Sequence, residues 1–76
     1  MISHNVLLPT IGDVKEFAGI CSQCEYEVDL VSGRYAVDAK SIIGIFSLDL
    51  SKPIKVIIHS GEADDFIEQI EKFIVE

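Results

Sequence analysis

Apolar and polar residues alternate along three segments of the chain, residues 2–8, 25–31 and 35–39. A period of two is typical of a strand that buries one face. We therefore predict half-buried strands of an antiparallel sheet, with a turn at Ser32-Gly33 between the second strand and the third. The side chains predicted to point inward on the second and third strands are Tyr26, Val28, Leu30, Tyr35, Val37 and Ala39.

After the first strand, apolar residues recur at helical spacing. Pro9 ends that strand, and Thr10 with Asp13 three residues later resembles the capping box that begins a helix, so we predict a helix over residues 11–23. Its apolar face comprises Ile11, Val14, Phe17, Ala18 and Cys21.

Two further helices are predicted. Ser41 is a good N-cap whose hydroxyl can accept a hydrogen bond from the amide near Gly44, and we place a short helix from Ser41 to about Leu48. After a strongly β-prone segment at residues 54–59, a last helix runs from about residue 62 to 75. The apolar face of this last helix comprises Phe66, Ile67, Ile70, Phe73 and Ile74.

The predicted order is strand, helix, strand, strand, helix, strand, helix. No repeat, linker or low-complexity segment interrupts residues 1–76, so we predict one domain. A sheet with its helices packed on one face is the natural two-layer arrangement for such a chain.

Composition narrows the classes of partner. Of the 76 residues, 49% are hydrophobic and 25% charged, as in globular domains. The net charge of -7 and the scattered basic residues argue against nucleic acid and against an anionic membrane surface. No stretch approaches the roughly 20 apolar residues that span a bilayer. We therefore expect a cytoplasmic protein.

Cys21 and Cys24 form a Cys-x-x-Cys pattern, which occurs in redox pairs and in zinc sites. His4 and His59 do not complete a zinc-ligand spacing with this pair. Because cysteine is often buried as a small apolar residue, we expect packing, with no metal and no cofactor. The alternative is a small metal or redox protein that uses both thiols and a histidine.

Residues 40–48, Lys-Ser-Ile-Ile-Gly-Ile-Phe-Ser-Leu, resemble the second helix of HPr, the histidine-containing phosphocarrier protein of the bacterial sugar phosphotransferase system. The spacing from Phe17 to Ser41 also fits that family without a gap. The resemblance implies an α+β fold, an HPr-like open-faced two-layer sandwich of order β-α-β-β-α-β-α. Its antiparallel sheet would have the strand order 1-4-2-3, with three helices on one face.

The chain departs from the family pattern at the start of the first helix. The family carries its phosphate on a histidine in a His-x-Arg-Pro setting, whereas Thr10-Ile11-Gly12-Asp13 occupies the corresponding positions. A threonine hydroxyl is a poor nucleophile without an adjacent base. We therefore predict a non-enzymatic member that has lost the phosphohistidine site. The alternative is a genuine phosphocarrier that uses another histidine, His4 or His59.

Ser41 is the candidate regulatory site. The resemblance implies that HPr kinase phosphorylates this serine and that the product binds a regulator of carbon catabolite control, as in the histidine-less catabolite-repression HPr. The predicted docking surface comprises Ile42, Ile43, Phe46 and Leu48. Alternatively, Ser41 only caps its helix. Since edge strands can pair with another chain, we expect a monomer or a weak dimer.

Overall fold

In a computed structural model, which describes residues 1–75, four antiparallel strands form one sheet. Their order across the sheet is β1-β4-β2-β3, so the predicted order is confirmed. A two-residue turn joins β2 to β3, and Gly33 there has a φ of 59°, a value that side chains disfavour. The strands are β1 (Ile2–Val6), β2 (Val28–Ser32), β3 (Tyr35–Asp38) and β4 (Ile54–Ile58).

Three α-helices cover one face of this sheet. They are α1 (Ile11–Gln23), α2 (Ile42–Phe46) and α3 (Asp64–Ile70), and a 3-10 turn at Glu71–Phe73 follows α3. Both ends of α1 fall at the predicted residues. The α+β open-faced sandwich of order β-α-β-β-α-β-α is therefore confirmed.

The core lies between the helices and the inner face of the sheet. Phe17 of α1 and Phe73 meet edge to face, with ring centroids 5.6 Å apart, a favourable geometry for aromatic pairs. The largest fully buried side chains, which hold the two layers together, are Phe17, Leu8, Leu30, Ile45, Ile54, Ile58, Ile70, Val6, Val14, Val28, Val56 and Cys21.

Three predictions about the apolar residues were wrong. Ile11 is 64% exposed, because it begins α1 before the helix reaches the core, and Tyr35 is 72% exposed, because it lies on an edge strand. The last helix also ends earlier than predicted. After the turn at Glu71–Phe73 the backbone becomes extended, and Ile74 forms an antiparallel bridge with Val6.

The two outer edges of the sheet differ in whether another segment of the chain lies beside them. Residues 73–75 run beside the end of β1, where Leu7 N–H donates to the Phe73 carbonyl (2.9 Å) and Val75 N–H donates to the Asn5 carbonyl (3.0 Å). The outer edge of β3 has no such strand beside it in residues 1–75. Within the same residues, none of the helices is both long enough and apolar enough to cross a bilayer.

Candidate functional site

Ser41 caps α2 as predicted. Its Oγ accepts a hydrogen bond from Gly44 N–H at 3.1 Å, and its carbonyl accepts one from Ile45 N–H at 3.0 Å. The Ser41 amide donates to the Asp38 carbonyl at 3.0 Å, which ties the start of the helix to the end of β3. The side chain is exposed and the first turn of α2 contains no acidic residue.

The outer side of α2 is unusually apolar. Ile43 is 85% exposed, and Ile42 and Phe46 are each 41% exposed. We call these three residues the α2 surface. Leu48 does not belong to it, because only 7% of Leu48 is exposed and it packs in the core. The predicted docking surface is therefore smaller by one residue.

Gly44 allows α2 to approach β3 closely. A Cβ atom at this position would lie 3.2 Å from the Oγ of Ser41 and 3.3 Å from the Cβ of Val37. Both distances are shorter than most contacts that Cβ atoms make in proteins. Ile45 follows Gly44 and is the one fully buried residue of α2. The helix is therefore held by a single deep side chain and by one close backbone approach.

Thr10 lies at the start of α1, where the family resemblance places a phosphohistidine. Its Oγ1 accepts a hydrogen bond from Asp13 N–H (3.1 Å) and donates one to Oδ2 of Asp13 (2.9 Å). The first turn of α1 contains Asp13 and no basic residue. The threonine hydroxyl is thus committed to capping, and a carboxylate lies where a phosphate group would need positive charge.

The two histidines lie on opposite faces of the sheet. His4 pairs across from Val56 on the helix-covered face. His59 follows β4, and its Nε2 lies 2.7 Å from Oδ2 of Asp29 on the open face. Glu27 neighbours His59 through a backbone hydrogen bond (2.9 Å). A phosphate on His59 would meet these acids, which disfavours the alternative of a phosphocarrier that uses His59.

The cysteines are placed for packing. Burial, together with nearby Cys24, raises the pKa of the Cys21 thiol to about 12, so this thiol is not a nucleophile at neutral pH. Cys24 is half-buried and its thiol donates to the Tyr26 carbonyl at 3.5 Å. Among residues 1–75, no three His, Cys, Asp or Glu side chains come together as metal ligands. The burial that raises the pKa of Cys21 disfavours the alternative in which both thiols carry metal or redox chemistry.

Comparisons with known proteins agree with this fold. The family model described as the PTS HPr component phosphorylation site matches residues 14–76, a range that begins after Thr10. No curated protein sequence matches the chain.

Two solved structures are similar to it. HPr-C-His from Thermoanaerobacter tengcongensis is 19% identical, with a TM-score of 0.79, over 95% of this chain and 89% of that one. A histidine-containing phosphocarrier protein of Mycoplasma is 16% identical, with a TM-score of 0.71, over 93% of this chain and 86% of that one.

Proposed function

Because the chain belongs to the HPr phosphocarrier family, we propose that it is a non-enzymatic member that has lost the phosphohistidine site and regulates other proteins by docking through α2. The observation that carries this proposal is the α2 surface, with Ile42, Ile43 and Phe46 exposed beside Ser41. Contiguous exposed apolar residues with a polar rim are typical of protein-binding surfaces. We place this activity in the cytoplasm, as for other carriers of the phosphotransferase system.

The geometry of Thr10 supports the loss of the carrier reaction. A phosphocarrier needs a nucleophile that is deprotonated near neutral pH and releases its phosphate readily, and imidazole meets both needs. The Thr10 hydroxyl instead bonds to Asp13 in both directions. A phosphothreonine ester would also hold its phosphate too firmly to pass it on.

Phosphorylation of Ser41 would regulate docking. A phosphate adds a charge of about -1.5 to -2 next to the α2 surface. The first turn of α2 has no carboxylate to repel that charge, and Lys40 directly precedes Ser41. We propose HPr kinase as the modifying enzyme and a regulator of carbon catabolite control as the partner of the modified form.

Intact-mass measurement tests the two reactions separately. One sample receives phosphoenolpyruvate and the general phosphotransferase enzyme, and the other receives ATP and HPr kinase. We expect one phosphate in the second sample only, lost in Ser41→Ala and kept in Thr10→Ala. Acid-labile phosphate in the first sample would contradict the loss of the carrier reaction.

Docking is tested with the modified protein and the catabolite regulator. Ile43→Ser is expected to weaken binding at least tenfold without changing stability, because Ile43 makes little contact with its own chain. Val75→Ser is the matched control, since Val75 is also exposed (48%) but lies far along the chain from α2. Equal binding by both variants would exclude the α2 surface as the docking site.

A further inference from the structure

The outer edge of β3 presents unpaired backbone groups. Ala39 N–H donates to the Val28 carbonyl at 2.9 Å, and Asp29 pairs with Asp38 in the register. In an antiparallel ladder, successive residues turn their backbone groups alternately toward the neighbouring strand and away from it. Val37 therefore bonds to β2, whereas the N–H and C=O of Ala36 and the N–H of Asp38 point outward.

The other backbone acceptor on this edge is already used. The Asp38 carbonyl accepts the hydrogen bond from Ser41 N–H that leads into α2. The outer edge of β1 is also partly covered, by residues 73–75. Within residues 1–75, the outer edge that no other segment pairs with is therefore that of β3, and it is centred on Ala36.

Side chains at this edge carry features that the fold itself does not explain. Alternation along β3 places Ala36 and Asp38 toward the open face of the sheet, and Arg34 lies in the turn directly before the strand. Arg34 is exposed and forms no ion pair within the described chain. On the helix side, Tyr35 is 72% exposed and lies near half-buried Val37.

We propose that β3 pairs with β3 of a second copy of this chain, antiparallel and centred on Ala36. Each Ala36 then donates to and accepts from its counterpart across the two-fold axis. Arg34 of each copy lies opposite Asp38 of the other, and Tyr35 lies opposite Val37. One continuous sheet of two copies results, with both charge pairs on its open face.

Charge selects this register over its neighbours. A shift of two residues in one direction leaves Arg34 without a strand partner, because Lys40 of the other copy lies beyond the end of β3, in the turn closed by the hydrogen bond from Ser41 N–H to the Asp38 carbonyl. A further shift places the two Asp38 side chains opposite each other. Like charges directly opposite on neighbouring strands destabilise the pairing, so only the register centred on Ala36 matches opposite charges at both ends of the edge.

The dimer is weak for two reasons. The shared edge comprises only the four residues of β3 and the adjoining Arg34, well below the size of stable interfaces, and each copy has a net charge of -7. The pairing must therefore be measured at high protein concentration and at about 0.15 M salt, which screens the general repulsion.

Sedimentation velocity from about 10 μM to about 1 mM protein tests the proposal. We expect the average mass to rise from 8.4 kDa toward twice that value as the concentration increases. Arg34→Asp should lower the association constant at least tenfold, because it places two acids opposite each other. Lys15→Asp changes the net charge equally but lies on the exposed side of α1, so it should leave association unchanged.

The double reversal Arg34→Asp with Asp38→Arg provides the decisive variant, since it restores opposite charges at both ends and should recover association. Asp38 also accepts a hydrogen bond from Lys40 N–H (2.9 Å), so circular dichroism must first show that the variant is folded. If the reversed variant is unfolded, Ala36→Pro replaces it, because proline is tolerated on an edge strand where its N–H would face outward, and loss of that donor should abolish association while both charges remain.

A wild-type protein that stays at 8.4 kDa at about 1 mM would overturn the proposal, as would equal effects of Lys15→Asp and Arg34→Asp. This inference goes beyond the proposed function and uses neither kinase nor regulator. Its outcome is therefore independent of whether Ser41 is phosphorylated.

Discussion

The helices α1 and α2 begin with the same kind of hydroxyl cap, but the two caps have different roles. In each, a hydroxyl accepts a hydrogen bond at 3.1 Å from the amide three residues later, in Thr10 from Asp13 and in Ser41 from Gly44. The two caps differ in the residue three positions after the hydroxyl. Asp13 adds a carboxylate that also binds the Thr10 hydroxyl, whereas Gly44 adds no side chain. The Thr10 cap, whose hydroxyl is also bonded to a carboxylate, has a structural role. The Ser41 cap has no such carboxylate and leaves room for a modifying group on its hydroxyl.

The two helices also differ in how firmly they are held. Four residues of α1 are buried, Val14, Phe17, Ala18 and Cys21, whereas α2 buries Ile45 alone. Stability is therefore concentrated in α1, and α2 has most of its apolar surface outside the core. The helix with the most exposed apolar side chains, α2, is thus also the α-helix that buries the fewest residues.

Removing the buried side chain of α2, Ile45, should have the largest effect on the free energy of unfolding. Ile45→Ala is expected to lower the free energy of unfolding by about 3 kcal/mol, because it leaves a cavity in the core. Ile43→Ala, the matched control two residues earlier, should change it by less than about 0.5 kcal/mol. Urea denaturation followed by circular dichroism measures both, and equal losses would break the contrast between the two sides of α2.

Alanine in place of the two first-turn glycines, Gly44 and Gly12, should change the free energy of unfolding in opposite directions. Gly44→Ala is expected to destabilise by about 1 kcal/mol, because the new Cβ crowds Ser41 and Val37.

Gly12→Ala, its counterpart in α1, should stabilise by about 0.5 kcal/mol, because a Cβ there meets nothing nearer than 3.7 Å and alanine favours the helix. The midpoint of urea unfolding measures both variants. Stabilisation by Gly44→Ala would mean that α2 is free to move away from β3.

A negative charge at the cap residues Thr10 and Ser41 should have the smallest effect on the free energy of unfolding. Thr10→Asp is expected to cost about 0.5 kcal/mol, because the new carboxylate lies beside Asp13.

Ser41→Asp should be neutral or stabilising by a few tenths of a kcal/mol, because aspartate is a good cap and no acid lies in that first turn. The difference between the two variants should shrink at about 1 M salt, where charges are screened. A difference that persists there would point to geometry as its cause.

Local patterns were enough to predict α1 and the Ser41 cap. Pro9 and Thr10 define the start of α1 from neighbouring residues alone, and the Ser41–Gly44 hydrogen bond depends on a spacing of three. The exposure of Ile43 could likewise be read from helical spacing. Each of these features is decided within about one helical turn.

The features that the sequence did not predict depend on tertiary contacts. Leu48 follows the apolar run of α2, but the helix ends at Phe46 and the chain then turns Leu48 into the core. Tyr35 fits the alternation of an inward strand, yet none of the helices in residues 1–75 covers that corner of the sheet. Ile74 continues the spacing of α3, but it pairs with Val6 across the molecule.

The position of β4 at the centre of the sheet has a consequence for how the chain folds. Both β1 and β2 pair with β4, although β4 is the last strand along the chain, and β2 with β3 is the sole hairpin among the described strands. Non-local pairings of this kind slow folding. The β2–β3 hairpin can therefore form early, whereas β1 cannot take its place in the sheet until β4 is available.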